Sequence, residues 1–416
     1  MKRMYYITLI GFLWSALLQG GCKKDVAVNR PNVANNSQGT SPLESLWKQP
    51  LAPDTTNGKS TMPPLIIGNK VIFSCRYYGN SSEFIRAYDN VTGQILWEWS
   101  AYTHPTPSFS DIKVIGDKII VCAWAEVYVI DSNTGQTAWV NSVPHGLPRI
   151  AVIGNYIYHT FGTVNIADSV CYLVRSPVDH PKWDTVYVAR IQNGFSPSIE
   201  STVLWINSQG DSILIFQNRQ TNFTSRINQI DLVGYNLVKK KNEFFFPDID
   251  KDHGSSTAPI TVYHNKIYFL GLSSIYCIDP SMGTIIWTKI FNGFGENFAG
   301  DDIHVIGNTL IVKPWGQTIY SLDPLTGSQI WKTDNVSSGQ ASLFVYSGTI
   351  YFMSGNLNAV DFSSGKLLWI KKSPNENTNN RYFGTFDVRD GIALDPSGKS
   401  FYTGDDRWAM RVKLPN

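Results

Sequence analysis

The residues best typed for chemistry lie in one stretch, Phe244-Phe-Phe-Pro-Asp248-Ile-Asp250-Lys-Asp252-His253-Gly254. Carboxylates on alternate residues ahead of a glycine suit a hard cation such as Ca²⁺, which takes several oxygen ligands. The glycine falls one place late for such a loop, and its twelfth position is Pro259 where a bidentate Glu would be wanted. An acidic, solvated loop is therefore the favoured reading of Asp248, Asp250 and Asp252. His104, His145 and His253 are three imidazoles that could converge on a metal; facing water or capping backbone groups is the commoner role. Phe291, Phe294 and Phe298, with Glu296, Asp301 and Asp302, could grip a peptide or a sugar, the competing reading being a loop packed on its own scaffold. There is no Gly-x-Ser-x-Gly elbow, no His-Glu-x-x-His and no phosphate-cradling glycine loop. No catalytic residue and no enzymatic activity are expected.

All three sets fall between copies of a repeat, and the repeat must position them. It reads Asp89-Asn-Val-Thr-Gly93-Gln-Ile-Leu-Trp97, and returns as Asp131…Gly135…Trp139, Asp279…Gly283…Trp287, Asp323…Gly327…Trp331 and Asp361…Gly365…Trp369. Gly follows Asp by four residues and Trp follows Gly by four in every copy. A short apolar strand such as Val127–Ile130 precedes each Asp. The Asp side chain can bond the turn's N–H groups, the Gly supplies positive φ, and the Trp offers a broad apolar face with one donor. A lone hairpin is marginal, so each copy must bury its faces on neighbours.

Consecutive tryptophans stand 42, 44 and 38 residues apart where the copies are regular. A period near ~40–45 residues with four strands per unit is that of a propeller blade. Two worn copies fill the gap after Trp139, one ending at Trp183 after Arg175, the other running from Asp231 through Gly234 to Lys239. The C-terminal runs Gly391–Asp395, Ser400–Thr403 and Trp408–Leu414 lack a last strand, and Leu46-Trp47 lacks the strands before it. Their pairing closes the ring without a free edge. The expectation is an all-β, eight-bladed propeller of four-stranded antiparallel blades, with seven blades as the alternative.

A net charge of +2 and the lack of any basic run beyond Lys239–Lys241 argue against nucleic acid. Lys2 and Arg3, an apolar run from Tyr5 to Leu18, and Gln19-Gly20-Gly21-Cys22 make a secretory signal. The segment from residue 22 to residue 45 is polar and aperiodic, a tether of reach ~25 Å. The expected organisation is a signal over 1–21, a tether over 22–45 and the propeller over 46–416. Cys75, Cys122, Cys171 and Cys277 each sit in an apolar strand and are expected as buried small hydrophobes.

Gly20-Gly21-Cys22 resembles the lipobox of bacterial lipoproteins, although Gln19 departs from the preferred apolar residue. The resemblance implies cleavage before Cys22 and its lipidation. Lys23 beside it implies sorting to the outer membrane, with the periplasmic face expected. The Asp-x-x-Thr-Gly-x-x-x-Trp copies resemble the repeat of quinoprotein (PQQ-like) β-propellers. One branch of that family comprises pyrroloquinoline-quinone dehydrogenases; none of their cofactor, calcium or base residues can be carried onto this chain. A second branch, the lipoprotein B subunit of the outer-membrane β-barrel assembly machinery, is similar in signal, tether and blade count. That likeness implies a non-enzymatic, lipid-anchored envelope scaffold that binds other proteins, without cofactor. A glycan- or small-ligand-binding lipoprotein and a PQQ-dependent oxidoreductase are the alternatives.

Overall fold

The computed structural model describes residues 43–51, 58–77, 82–100, 109–123, 126–142, 150–163, 170–251, 260–291, 303–338, 343–354, 356–374, 391–405 and 407–415. The expected signal, Cys22 and nearly all of the tether lie outside them. Leu43 is already buried and Ser45 already paired, so the fold begins a little before the expected boundary at residue 46.

Eight antiparallel sheets follow one another along the chain as the blades of a propeller, which decides between eight blades and seven. Blade two is typical, with strands Phe109–Ile115, Lys118–Ala123, Glu126–Asp131 and Thr137–Ser142 running from the inside outward. The second and third strands are continuous apolar runs, because neighbouring sheets cover both of their faces. Ile119, Ile120, Val121 and Cys122 are accordingly all buried. Blade four is the large one, its first three strands Ser196–Ile206, Ser212–Asn222 and Ile227–Asn236 spanning 11, 11 and 10 residues.

The ring closes as the sequence predicts. Strand Ser45–Pro50 forms the outer edge of the sheet made by Ile392–Leu394, Ser400–Gly404 and Trp408–Lys413. Blade one covers that seam. Arg86 donates through Nη1 to the carbonyl of Pro50 at 2.8 Å and through Nε to Glu98 at 2.9 Å.

The repeated motif works between blades. Within its own turn, the Asp89 carboxylate accepts from the N–H groups of Val91 and Thr92 at 3.0 and 2.8 Å. Gly93 takes φ +74°. The partner of that turn is the tryptophan of the preceding blade, Trp47, whose Nε1 donates to Asn90 O at 3.1 Å. Trp97 does the same to Ser132 O, Trp139 to Val178 O, Trp287 to Pro324 O and Trp331 to Phe362 O, at 2.9–3.1 Å. A Cβ on Gly93, Gly135, Gly327 or Gly365 would stand 2.6–2.7 Å from the indole lying on it. Glycine is needed at these sites for its bare α-carbon as well as for its φ.

Two anchors differ from the sequence reading. Each blade slips register once between its third and fourth strands, and the anchor is the residue paired at that slip: Trp97 with Ala87, Trp139 with Val129, Trp287 with Cys277. In blade three, with outer strand Asp184–Arg190, that residue is Tyr187, paired with Leu173. Its ring packs edge-on against Phe216 and Tyr235 of blade four at 4.9 and 5.2 Å. Trp183 stands before the strand, 39% exposed, against Phe161 of its own blade. In blade four the anchor is Phe244, paired with Gly234 and buried among Ile260, Ile267 and Phe269 of blade five. Lys239 lies in the turn and Asp231 in mid-strand.

Candidate functional site

The strands of all blades run in common directions, so the propeller has two ends. One carries the Asp–Gly turns. The other receives the links between blades and the turns between second and third strands. His104, His145, His253, Asp252, Phe294 and Phe298 belong to links that lie outside the described residues.

The predicted residues that are described have structural duties. Phe291 is buried between blades, its ring edge-on to Tyr320 at 5.0 Å, and its N–H donates to Ser273 O. It follows the outer strand closely enough to drop into the inter-blade core and offers no face at the rim. Asp250 is buried too. Its carboxylate accepts from Leu272 N at 2.7 Å, from Tyr276 Oη at 2.8 Å and from Ser274 Oγ. A Cβ on Gly271 would stand 2.1 Å from that carboxylate, so the turn of blade five is built around it. Asp248 holds φ +40°, and burial first, then the charges of Asp231 and Asp250, push its carboxyl pKa up. At Asp250 the favoured reading of an acidic, solvated loop is thus corrected along with the calcium alternative, since the side chain is buried and its oxygens already serve three donors. Among the described residues no three His, Cys, Asp or Glu side chains are grouped to hold a metal ion.

Other polar groups at this end follow the same logic, which sequence reasoning missed. Glu83 accepts from Phe109 N at 2.6 Å, Asp111 from Ile150 N at 3.0 Å, Asp231 from Asp248 N at 3.0 Å and Asn358 from Ser337 N at 3.0 Å. Each fixes the backbone where the chain enters or leaves a blade, satisfying a main-chain donor that the sheets leave over. Their sequence signal is a lone polar residue inside or beside an apolar strand. The four cysteines are buried free thiols, and burial pushes Cys171 and Cys277 up to about 11, which makes them poor nucleophiles.

The blade edges are the groups left available. Every sheet ends on its outermost strand, the fourth in all blades but the five-stranded blade one, and beyond it no further strand of the described residues pairs. These strands also present aliphatic side chains to solvent, one residue before the anchor: Leu46, Leu96, Ile286, Ile330 and Leu368 are all exposed, Ile330 by 54%.

A family model described as outer membrane protein assembly factor BamB matches residues 236–395, which span blades five to seven and parts of their neighbours. The match covers that region, and the chain as a whole has the fold of a PQQ-like β-propeller. Among solved structures, this PQQ-like propeller is similar to BamB from Moraxella catarrhalis, with TM-score 0.58 and 10% identity over 89% of this chain and 100% of that one. It is similar as well to quinohemoprotein alcohol dehydrogenase from Comamonas testosteroni, with TM-score 0.62 and 10% identity over 90% and 78%. At such identities these likenesses concern the fold alone. Tetrathionate hydrolase of Acidithiobacillus ferrooxidans is 22% identical over 275 residues, 58% of this chain and 53% of that protein. The aligned region thus spans about half the length of this curated relative.

Proposed function

We propose that this propeller is a non-enzymatic scaffold of the bacterial cell envelope, lipid-anchored through Cys22 at the periplasmic face of the outer membrane, that binds extended segments of other envelope proteins. The observation that carries the reading is the set of outer strands, unpaired along one edge and apolar where they meet water. An exposed, apolar strand edge is a template for strand addition. Main-chain bonds then supply affinity, and side chains such as Ile330 supply selectivity. The family match to an outer membrane assembly factor supports the same direction. The buried carboxylates of Asp250 and Glu83 and the partly buried one of Asp111 also favour it, since they hold backbone in place. The ligand-rim alternative loses Phe291, which is buried.

The test is site-specific photo-crosslinking in cells, with the crosslinker at Ile330 on the outer strand of blade six and, as control, at Gly68 in an inner turn. Adducts with an envelope protein at Ile330 and none at Gly68 are expected. Equal labelling at both positions, or no adduct at any of the exposed outer-strand aliphatics, would overturn the reading.

A further inference from the structure

At the other end of the propeller, two adjacent turns, those of blades four and five, depart from the repeat, and the regular turn of blade six lies beside them. The third residue after the Asp is a hydroxyl residue in other copies, and it works. Thr92, Thr326 and Ser364 donate their hydroxyls to Asp89, Asp323 and Asp361. Blade five has Met282 there, and blade four has Lys239. Met282 gives up the hydroxyl bond and stands 74% exposed. Blade four also replaces the turn glycine. Asn236 takes the place of Asp, accepting from Val238 N and Lys239 N at 2.9 Å each. Lys240 takes the place of Gly at φ +52°, a conformation that costs a side-chain-bearing residue about 1–2 kcal/mol. Breaks in an otherwise self-consistent pattern are where function is to be sought.

The turns of blades four, five and six share a chemistry. Val238, Met282 and Leu325 are exposed by 67, 74 and 66% on three successive turns. Phe244 of blade four packs on Gly283 of blade five, and Trp287 of blade five on Gly327 of blade six, so the turns are neighbours. Lys240 and Lys241 are exposed beside Val238. The carboxylates of the arc are engaged: Asp211 by Lys239, Asp279 by Lys266, and Asp323 by the N–H groups of Leu325 and Thr326. Blade one carries Val91 at the position of Val238 and Leu325, one residue before that of Met282, but blade two has Asn133 and blade seven Ser363 there, so only blades four to six make a continuous set.

We propose that this arc is a membrane-docking surface: Val238, Met282 and Leu325 enter the boundary between headgroups and acyl chains while Lys240 and Lys241 meet anionic lipid. Aliphatic tips flanked by basic side chains are what interfacial binding requires. Each lysine near an anionic surface adds about 1 kcal/mol. The inference is independent of the scaffold reading, which concerns the outer strands.

The experiment uses the full chain carrying Cys22→Ser, so that no acyl chain contributes. The four thiols among the described residues are buried. An environment-sensitive fluorophore is attached at Met282→Cys, at Leu325→Cys or, as control in blade seven, at Ser363→Cys. Phosphatidylcholine vesicles with phosphatidylglycerol should shift the first two labels to the blue, and brominated lipid should quench them, leaving the third unchanged. Vesicles without phosphatidylglycerol should bind more weakly. Lys240→Gly with Lys241→Ala should lower partitioning roughly thirtyfold without loss of stability. Equal responses at Met282 and Ser363, no response at Met282, or a response to polyglutamate but not to vesicles would overturn the assignment; the last would give the arc to an acidic protein.

Discussion

The indole N–H of Trp47 donates to the carbonyl of Asn90 at 3.1 Å, joining the outermost strand of the last blade to the turn of the first. The same indole fills the space in front of Gly93, where a Cβ would lie 2.7 Å from it. Gly93→Ala should therefore destabilise the protein by about 2–4 kcal/mol, the sum of a left-handed φ and a clash in a packed core. Gly68→Ala shares the positive φ but faces open space, and should cost about 1 kcal/mol. Denaturant midpoints of the two variants test the difference.

Phe244 occupies the anchor position of blade four. Phe244→Ala should cost about 3–5 kcal/mol. Lys239→Ala loses an exposed pair with Asp211 and a bond to Gln209 and should leave the stability nearly unchanged. A large effect at Lys239 with a small one at Phe244 would restore the assignment made from residue types.

Lys240→Gly should stabilise the protein by about 1 kcal/mol, since the turn already holds the backbone where glycine is at ease. Thermal unfolding reads the gain directly. No gain would mean that the lysine side chain repays its strain locally.

His159 lies buried in blade three, with Ser176 Oγ 3.4 Å from its Nε2. Burial pushes its pKa down from 6.5 to about 4. The unfolded chain gains a proton below pH 6.5 that the folded chain refuses until about pH 4. Stability from this residue is complete above pH 6.5 and is lost as pH falls to about 4, a total of about 3 kcal/mol. Asp131 and Asp361, held near 2 by Lys118 and by serine hydroxyls, lose their contributions at lower pH. Urea denaturation at pH 7 and pH 4.5 should show the loss, and His159→Leu should flatten it.

Arg86 carries the seam between blades eight and one, with Nη1 on the Pro50 carbonyl. Arg86→Met should cost about 2–3 kcal/mol, the range for a charged hydrogen bond lost from a buried acceptor. Hydrogen exchange should rise first in Ser45–Pro50 and Trp408–Lys413. Uniform acceleration over all blades would contradict a local latch.

The regular blades were legible because Asp, Gly and Trp each do one physical job at a fixed spacing. Blade four keeps the spacing and changes the types: Asn236, Lys240 and Phe244 stand four residues apart and do the same three jobs. Reading by residue type led instead to Asp231 and Lys239. Blade three lengthens its hairpin, so no fixed interval leads to Tyr187. The candidate site was less legible than the fold. Phe291 and Asp250 look available in sequence, yet the first sits directly after an outer strand, inside the inter-blade core, and the second where a turn lacks a side chain. Burial decided both, and burial at a blade junction depends on the neighbouring blade, which local sequence does not carry.

The pairing of Ser45 with Val412 sets a timetable for biogenesis. The strand Ser45–Pro50 must stay unmated until Trp408–Lys413, more than 350 residues later in the chain, has been made. Closure of so distant a pair is the slow, entropy-limited step of such a topology. Until then the open ring exposes Trp47 and the cleft that receives it, and this interval is when a chaperone would have most to hold.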